Sequence, residues 1–76
     1  RTNFERIKIY PSIISDIATI DFEGNIDEVM VYNLSGKLEY QISNTKEINL
    51  SHLDAGNYLI ICKSGDKYYN QTIVKQ

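Results

Sequence analysis

Few residues in this chain have the types that do chemistry. His52 is the sole histidine, and Ser51 and Asp54 lie beside it in "SHLD". Together they supply the side chains of a nucleophilic triad. That chemistry needs a hydroxyl, an imidazole and an orienting carboxylate converging from different elements. Residues of one tight turn do not converge in that way, so His52 reads as a surface turn residue. Cys62 is the only cysteine. One thiol closes no internal disulfide and builds no zinc site from cysteine alone. A reactive thiolate needs an exposed, cationic setting. Cys62 lies inside the apolar run "YLIICK", and Lys63 on a strand points to the opposite face, so the thiol reads as a small core residue. "DFEGNIDE" at 21–28 places Asp21, Glu23, Asn25 and Asp27 at alternate positions, followed by Glu28. Such oxygen ligands suit calcium. Gly24 falls too early for an EF-hand, and no Glu closes the loop at its twelfth position. A solvated hairpin is the better reading. No catalytic, cofactor or metal set emerges.

Composition narrows the classes further. The 76 residues suffice for one domain, and 42% are hydrophobic, the proportion of a globular chain. A net charge of −2 argues against nucleic acid, which calls for a clustered basic face. No apolar run approaches the roughly 20 residues of a membrane-spanning helix, so no membrane insertion is expected. The sequence opens on Arg1 without an initiator Met. It reads as a piece of a longer protein, with any export signal upstream.

The elements that position these residues are strands. Period-two alternation runs along the chain. Ile7 and Ile9 share a face, as do Ala18, Ile20 and Phe22. In "EVMVYN", Val29 and Val31 oppose Met30 and Tyr32, which predicts a strand covered on both sides. "KLEYQI" predicts Leu38, Tyr40 and Ile42 inward. "KEINL" offers Ile48 and Leu50, "NYLIICK" is apolar on both faces like a central strand, and "KYYNQTIVK" follows. Turn signals at 23–25, 35–36 and 64–66 separate them, and Pro11 ends the first strand. About seven short antiparallel strands with turns every ten residues or so predict an all-β, immunoglobulin-like sandwich. At most one helical turn is expected, at 51–54, with Ser51 as its cap.

"LDAGNYLIICKSG" at 53–65 holds the clearest local signal. Gly56 permits a positive-φ corner. Tyr58, entering the next strand, has the position of the tyrosine corner of immunoglobulin-like sandwiches, whose hydroxyl bonds back to upstream backbone.

Tyr32-Asn33-Leu34-Ser35-Gly36-Lys37, Leu53-Asp54-Ala55-Gly56-Asn57-Tyr58 and Ile73-Val74-Lys75-Gln76 occur in that order after "IYPSIISD" at 9–16. In this the chain resembles, from about Ile7 to Gln76, the type IX secretion system C-terminal sorting domain of Bacteroidota. The family's pattern is an aromatic-Asn-x-x-Gly-Lys turn, a Leu-x-x-Gly-x-Tyr corner and a basic, apolar last strand. It opens with a Pro-Asn-Pro segment, of which only Pro11 is present; Ser12 and Ile13 stand in the other two places. Pro11 suffices if that segment merely ends a strand.

The resemblance implies a non-catalytic label at the end of a cargo protein. Residues 1–5 would then be the end of a linker from an upstream cargo domain, and 6–76 the sorting domain. The implied partners are the covalently linked N-terminal cargo, the type IX translocon and shuttle proteins, and a surface sortase that removes the label. The implied route is through the periplasm to the cell surface or the medium. Pro11, Gly36, Lys37, Gly56, Tyr58, Ile73, Val74, Lys75 and Gln76 are the expected recognition residues. The final strand is expected to be an edge whose free backbone a partner reads, with Lys75 beyond the packed positions as a charge check. A different class stays open at this point. A non-catalytic immunoglobulin-like module, appended to an enzyme or adhesin to bind carbohydrate or a surface, would use an exposed aromatic. Tyr68 and Tyr69 are adjacent, so one of them faces outward.

Overall fold

The computed structural model describes residues 4–10 and 13–76. Pro11 therefore lies outside the described residues. The strands are β1 (Phe4–Arg6), β2 (Lys8–Tyr10), β3 (Ile13–Ile14), β4 (Ile17–Asp21), β5 (Glu28–Asn33), β6 (Leu38–Ser43), β7 (Glu47–Asn49), β8 (Gly56–Ser64) and β9 (Lys67–Lys75). No helix occurs among the described residues. The larger sheet runs β1-β9-β8-β5-β6, and the smaller, antiparallel one runs β2-β4-β7. The chain is thus the expected all-β sandwich. Residues 4 and 5, placed above in the linker, lie in β1.

Alternation explains the layering. Val29 and Val31 of β5, Ile60 and Cys62 of β8 and Ile73 of β9 turn inward and are fully or almost fully buried. Ile9, Ala18, Ile20 and Ile48 of the smaller sheet belong to the same core, closed by Ile7, Ile14, Ile26 and Leu50. Phe22 and Tyr69 pack against it with their rings edge to face, 5.0 Å between centroids. Met30 and Tyr32, on the other side of β5, are half-buried, and so are Leu59 and Ile61 of β8. The outer face of the larger sheet is therefore apolar along its central strands.

Three expectations need correction. β9 is not an edge. It pairs with β8 over its whole length, and on its other side with β1 at Tyr68–Asn70 and with β3 at Val74 and Lys75, both parallel. The first part of the chain switches sheets: β2, between β1 and β3, pairs with β4 instead. Leu38 is not inward either. A register shift puts Leu38 opposite Tyr32 and Tyr40 opposite Val31. Opposed residues share a face, so the bulge moves Leu38 to the outer face, where it is 42% exposed. The turn at 51–54 is a single bend, with the Leu53 amide donating to the Leu50 carbonyl at 3.0 Å. Its cap is Asn49: the Asn49 carboxamide oxygen accepts from the Ser51 amide at 3.0 Å and from the Ser51 hydroxyl at 2.7 Å.

Burial pushes the Cys62 thiol up from its ordinary 9.0 to about 12. The folded state thus disfavours the thiolate. The stability tied to Cys62 is intact below pH 9.0, where the thiol of the unfolded chain starts to ionise, and is lost as pH rises toward about 12. Urea melts at rising pH should show stability falling above pH 9, and Cys62→Ala should flatten that fall while lowering stability at neutral pH.

Candidate functional site

The turn after β5 is built by one side chain. The Asn33 carboxamide oxygen accepts from the amides of Ser35 at 2.9 Å and Lys37 at 3.0 Å, while its nitrogen donates to Glu39 at 2.8 Å. The Asn33 amide donates to the Lys37 carbonyl, and the Gly36 amide to the Asn33 carbonyl, both at 3.0 Å. Asn suits this position because it accepts backbone amides through its side chain. Gly36 sits at φ 84°, in the left-handed region that L-residues avoid. Lys37 follows on the surface.

The corner before β8 has the expected form. Gly56 is at φ 151°, again a glycine conformation. The Tyr58 ring is buried, and its hydroxyl donates to the Asp54 carbonyl at 2.7 Å. Burial first, then the negative charges of Asp54 and Glu39, hold the Tyr58 hydroxyl above its ordinary value. It is thus held as a neutral donor.

The last strand departs from expectation. Ile73 and Lys75 turn inward, and Val74 turns outward. Lys75 is only 7% exposed, and its ammonium donates to the Gln76 carbonyl at 2.7 Å. The Gln76 amide donates to the Ile14 carbonyl at 2.8 Å. Lys75 is a packed residue with its charge satisfied by backbone, and it does not project from the strand end.

Sheet register brings the three segments together. Asn33 is opposite Tyr58, and Tyr58 is opposite Ile73. Gly56 is opposite Lys75, which is opposite Ile14. Turn, corner and terminal strand, remote in sequence, thus form one end of the larger sheet. On its outer side they frame a shallow groove of about 420 Å³, lined by Tyr32, Leu34, Gly36, Leu59, Ile61 and Thr72 among others. Sequence reasoning missed this groove. Its signal was present in the second apolar face of "NYLIICK" and in a leucine set inside a polar turn.

The other candidates do not assemble. The Ser51 hydroxyl is engaged by Asn49, and the His52 ring lies edge-on to Tyr40 at 4.8 Å. The Asp27 carboxylate accepts the Gly65 amide at 2.7 Å, pinning the β8–β9 hairpin to the 21–28 segment.

Two substitutions check this local account in denaturant melts. Gly36→Ala meets no neighbouring atom, so its cost is that of the backbone alone, about 1–2 kcal/mol. Tyr58→Phe should cost roughly 0.5–1.5 kcal/mol, one net hydrogen bond. Tyr58→Ala should cost roughly 3–5 kcal/mol, because it also empties the ring's site.

Comparison with known proteins shows the family and the fold. The family described as "Secretion system C-terminal sorting domain" matches residues 8–76. No curated protein matches the chain. The structure of the sulfur carrier protein SoxY from Chlorobium limicola f thiosulfatophilum is similar at a TM-score of 0.59. That likeness covers 99% of this chain and 80% of that one at 11% identity. At such identity it concerns the fold alone. The family match spans the turn, the corner and the terminal strand that register has brought to one end of the sheet, and the chain belongs to the secretion system C-terminal sorting domains.

Proposed function

We propose that the export machinery reads this domain as a folded object, at the end where the turn, the corner and the terminal strand meet. As a type IX secretion C-terminal sorting signal, the domain directs an attached N-terminal cargo to the cell surface or out of the cell. The finer route is our reading. Translocon and shuttle proteins bind the domain in the periplasm, a surface sortase then removes it, and the domain performs no chemistry of its own. The cargo joins ahead of β1, so the junction assigned to residues 1–5 runs into the sheet at Phe4.

The lateral row Asn33–Tyr58–Ile73 supports the folded readout. Gly56, Tyr58, Ile73 and Lys75 serve it by shaping that end from within. Gly36, Lys37, Val74 and Gln76 are the members of the recognition set that face solvent, Gly36 setting the turn that carries Lys37. Pro11, outside the described residues, has its part by resemblance alone.

The test is a reporter with an ordinary export signal, in a host with a type IX system. Fused to residues 1–76, it should reach the surface or medium. Fused to residues 67–76 alone, it should stay in the periplasm. Export by the short tail would overturn the folded readout. Retention of the intact fusion would overturn the sorting function.

A further inference from the structure

Six large hydrophobic side chains stand exposed among the described residues: Tyr10, Ile13, Ile17, Leu34, Leu38 and Val74. Their distribution is uneven. Leu38 lies on the outer-face row Leu38–Tyr32–Leu59–Thr72, which crosses β6, β5, β8 and β9. The next row joins Asn57, Val74 and Ile13. Leu34, 76% exposed, stands in the turn that borders the groove. Four of the six therefore lie on or around one patch, on the outer face at the signature end. Isolated exposed apolar residues are ordinary, whereas a contiguous patch marks an interaction surface.

We infer that this patch docks an apolar segment of the secretion machinery, which seats one or two large aliphatic or aromatic side chains in the groove between Leu34 and Leu59. The inference rests on the sorting function above and names where its partner binds. Three observations favour that occupant. The patch is continuous with the turn, the corner and the terminal strand on which the family resemblance rests. It is also small. The molecule measures only 31 × 24 × 18 Å between its outermost Cα atoms, and the patch takes up one end of the outer face of the larger sheet. A stable dimer needs roughly 800 Å² from each partner. A second copy is therefore poorly served, whereas a carrier that must later let go is well served. Third, the rim carries charge. Lys37 follows Gly36 on the exposed turn, and no ion pair engages its ammonium among the described residues. The docked segment is accordingly expected to set a carboxylate beside its apolar residues. A strand-adding partner at β9 has no vacant ladder of comparable length, because β1 and β3 occupy much of that side.

The fusion of residues 1–76 to the reporter supplies the test. Leu34→Ser with Leu38→Ser removes two exposed contacts of the patch. Ile17→Ser removes one of similar exposure from the smaller sheet (Ile17 is 52% exposed). The double variant should weaken docking by about tenfold or more and cut the exported fraction accordingly, with Ile17→Ser exported like the parent. Leu34→Ser alone, at the most exposed of these sites, gives a milder drop without threatening the fold. A photoreactive phenylalanine analogue at position 34 of the otherwise intact fusion should crosslink to a translocon or shuttle component, and the same analogue at 17 should not. If the patch variants are exported like the parent, or if positions 34 and 17 crosslink alike, the docking site is wrong and the sorting function stands. A purified chain that sediments as a dimer, and becomes monomeric in the patch variants, assigns the patch to a second copy and overturns the proposal. Failure of the parent fusion to leave the periplasm overturns the sorting function itself.

Discussion

The architecture depends on the backbone of β8. From Gly56 to Ser64 it is paired with β9 at every position, and from Tyr58 to Lys63 it is paired on its other side with β5. A strand held on both sides has no freedom of register, since a slip of one residue would turn Tyr58, Ile60 and Cys62 out to solvent and Leu59 and Ile61 into the core. That penalty fixes which residues of β5 and β9 face one another. It also fixes the meeting of Asn33, Tyr58 and Ile73. The family's motif residues are neighbours because the core permits one alignment of the central strands.

A division of labour follows within the motifs. Asn33 and Gly36 bend the chain at the end of β5, and Gly56 and Tyr58 hold the corner at the start of β8. None of these four needs to touch a partner to be required. What they hold in place is a set of surface residues: Val74 belongs to the terminal motif, whereas the identity of Leu34 and Leu38 carries no obvious signature in one sequence. This separates residues that build a recognition surface from residues that compose it. Substitutions in the first group act on stability and binding together, and substitutions in the second act on binding alone.

The sequence made the local features legible. Period-two alternation marked the strands and most of the core, and the order Asp-Ala-Gly-Asn-Tyr marked the corner whose hydroxyl bond runs to Asp54. Strand pairing was not legible, because alternation reports which face a residue occupies and says nothing of which strand lies alongside. The parallel pairing of β1 and β3 with β9 was therefore invisible, and with it the covered edge and the burial of Lys75. A lysine in a terminal "IVKQ" looks solvated by type, yet its alternation with Ile73 already placed it inward. The outward place of Leu38 is hidden for a related reason: a bulge changes the phase of the alternation without leaving a mark in residue type. Asn49 displaced Ser51 as the cap because either residue type can serve, and the chain path chose between them.

The parallel arrangement of β1 and β9 also sets how the domain bears load. Phe4 lies opposite Tyr68, near the start of β9, whereas Lys75 and Gly56 lie at the opposite end of the sheet. A pull on the chain ahead of Phe4, against a grip on the Gly56–Lys75 end, is directed along the strands. The hydrogen bonds between β1 and β9 then share the force in shear and do not open one after another like a zip. Anchored this way, the domain resists being stripped from its own N-terminus while something large is dragged behind it.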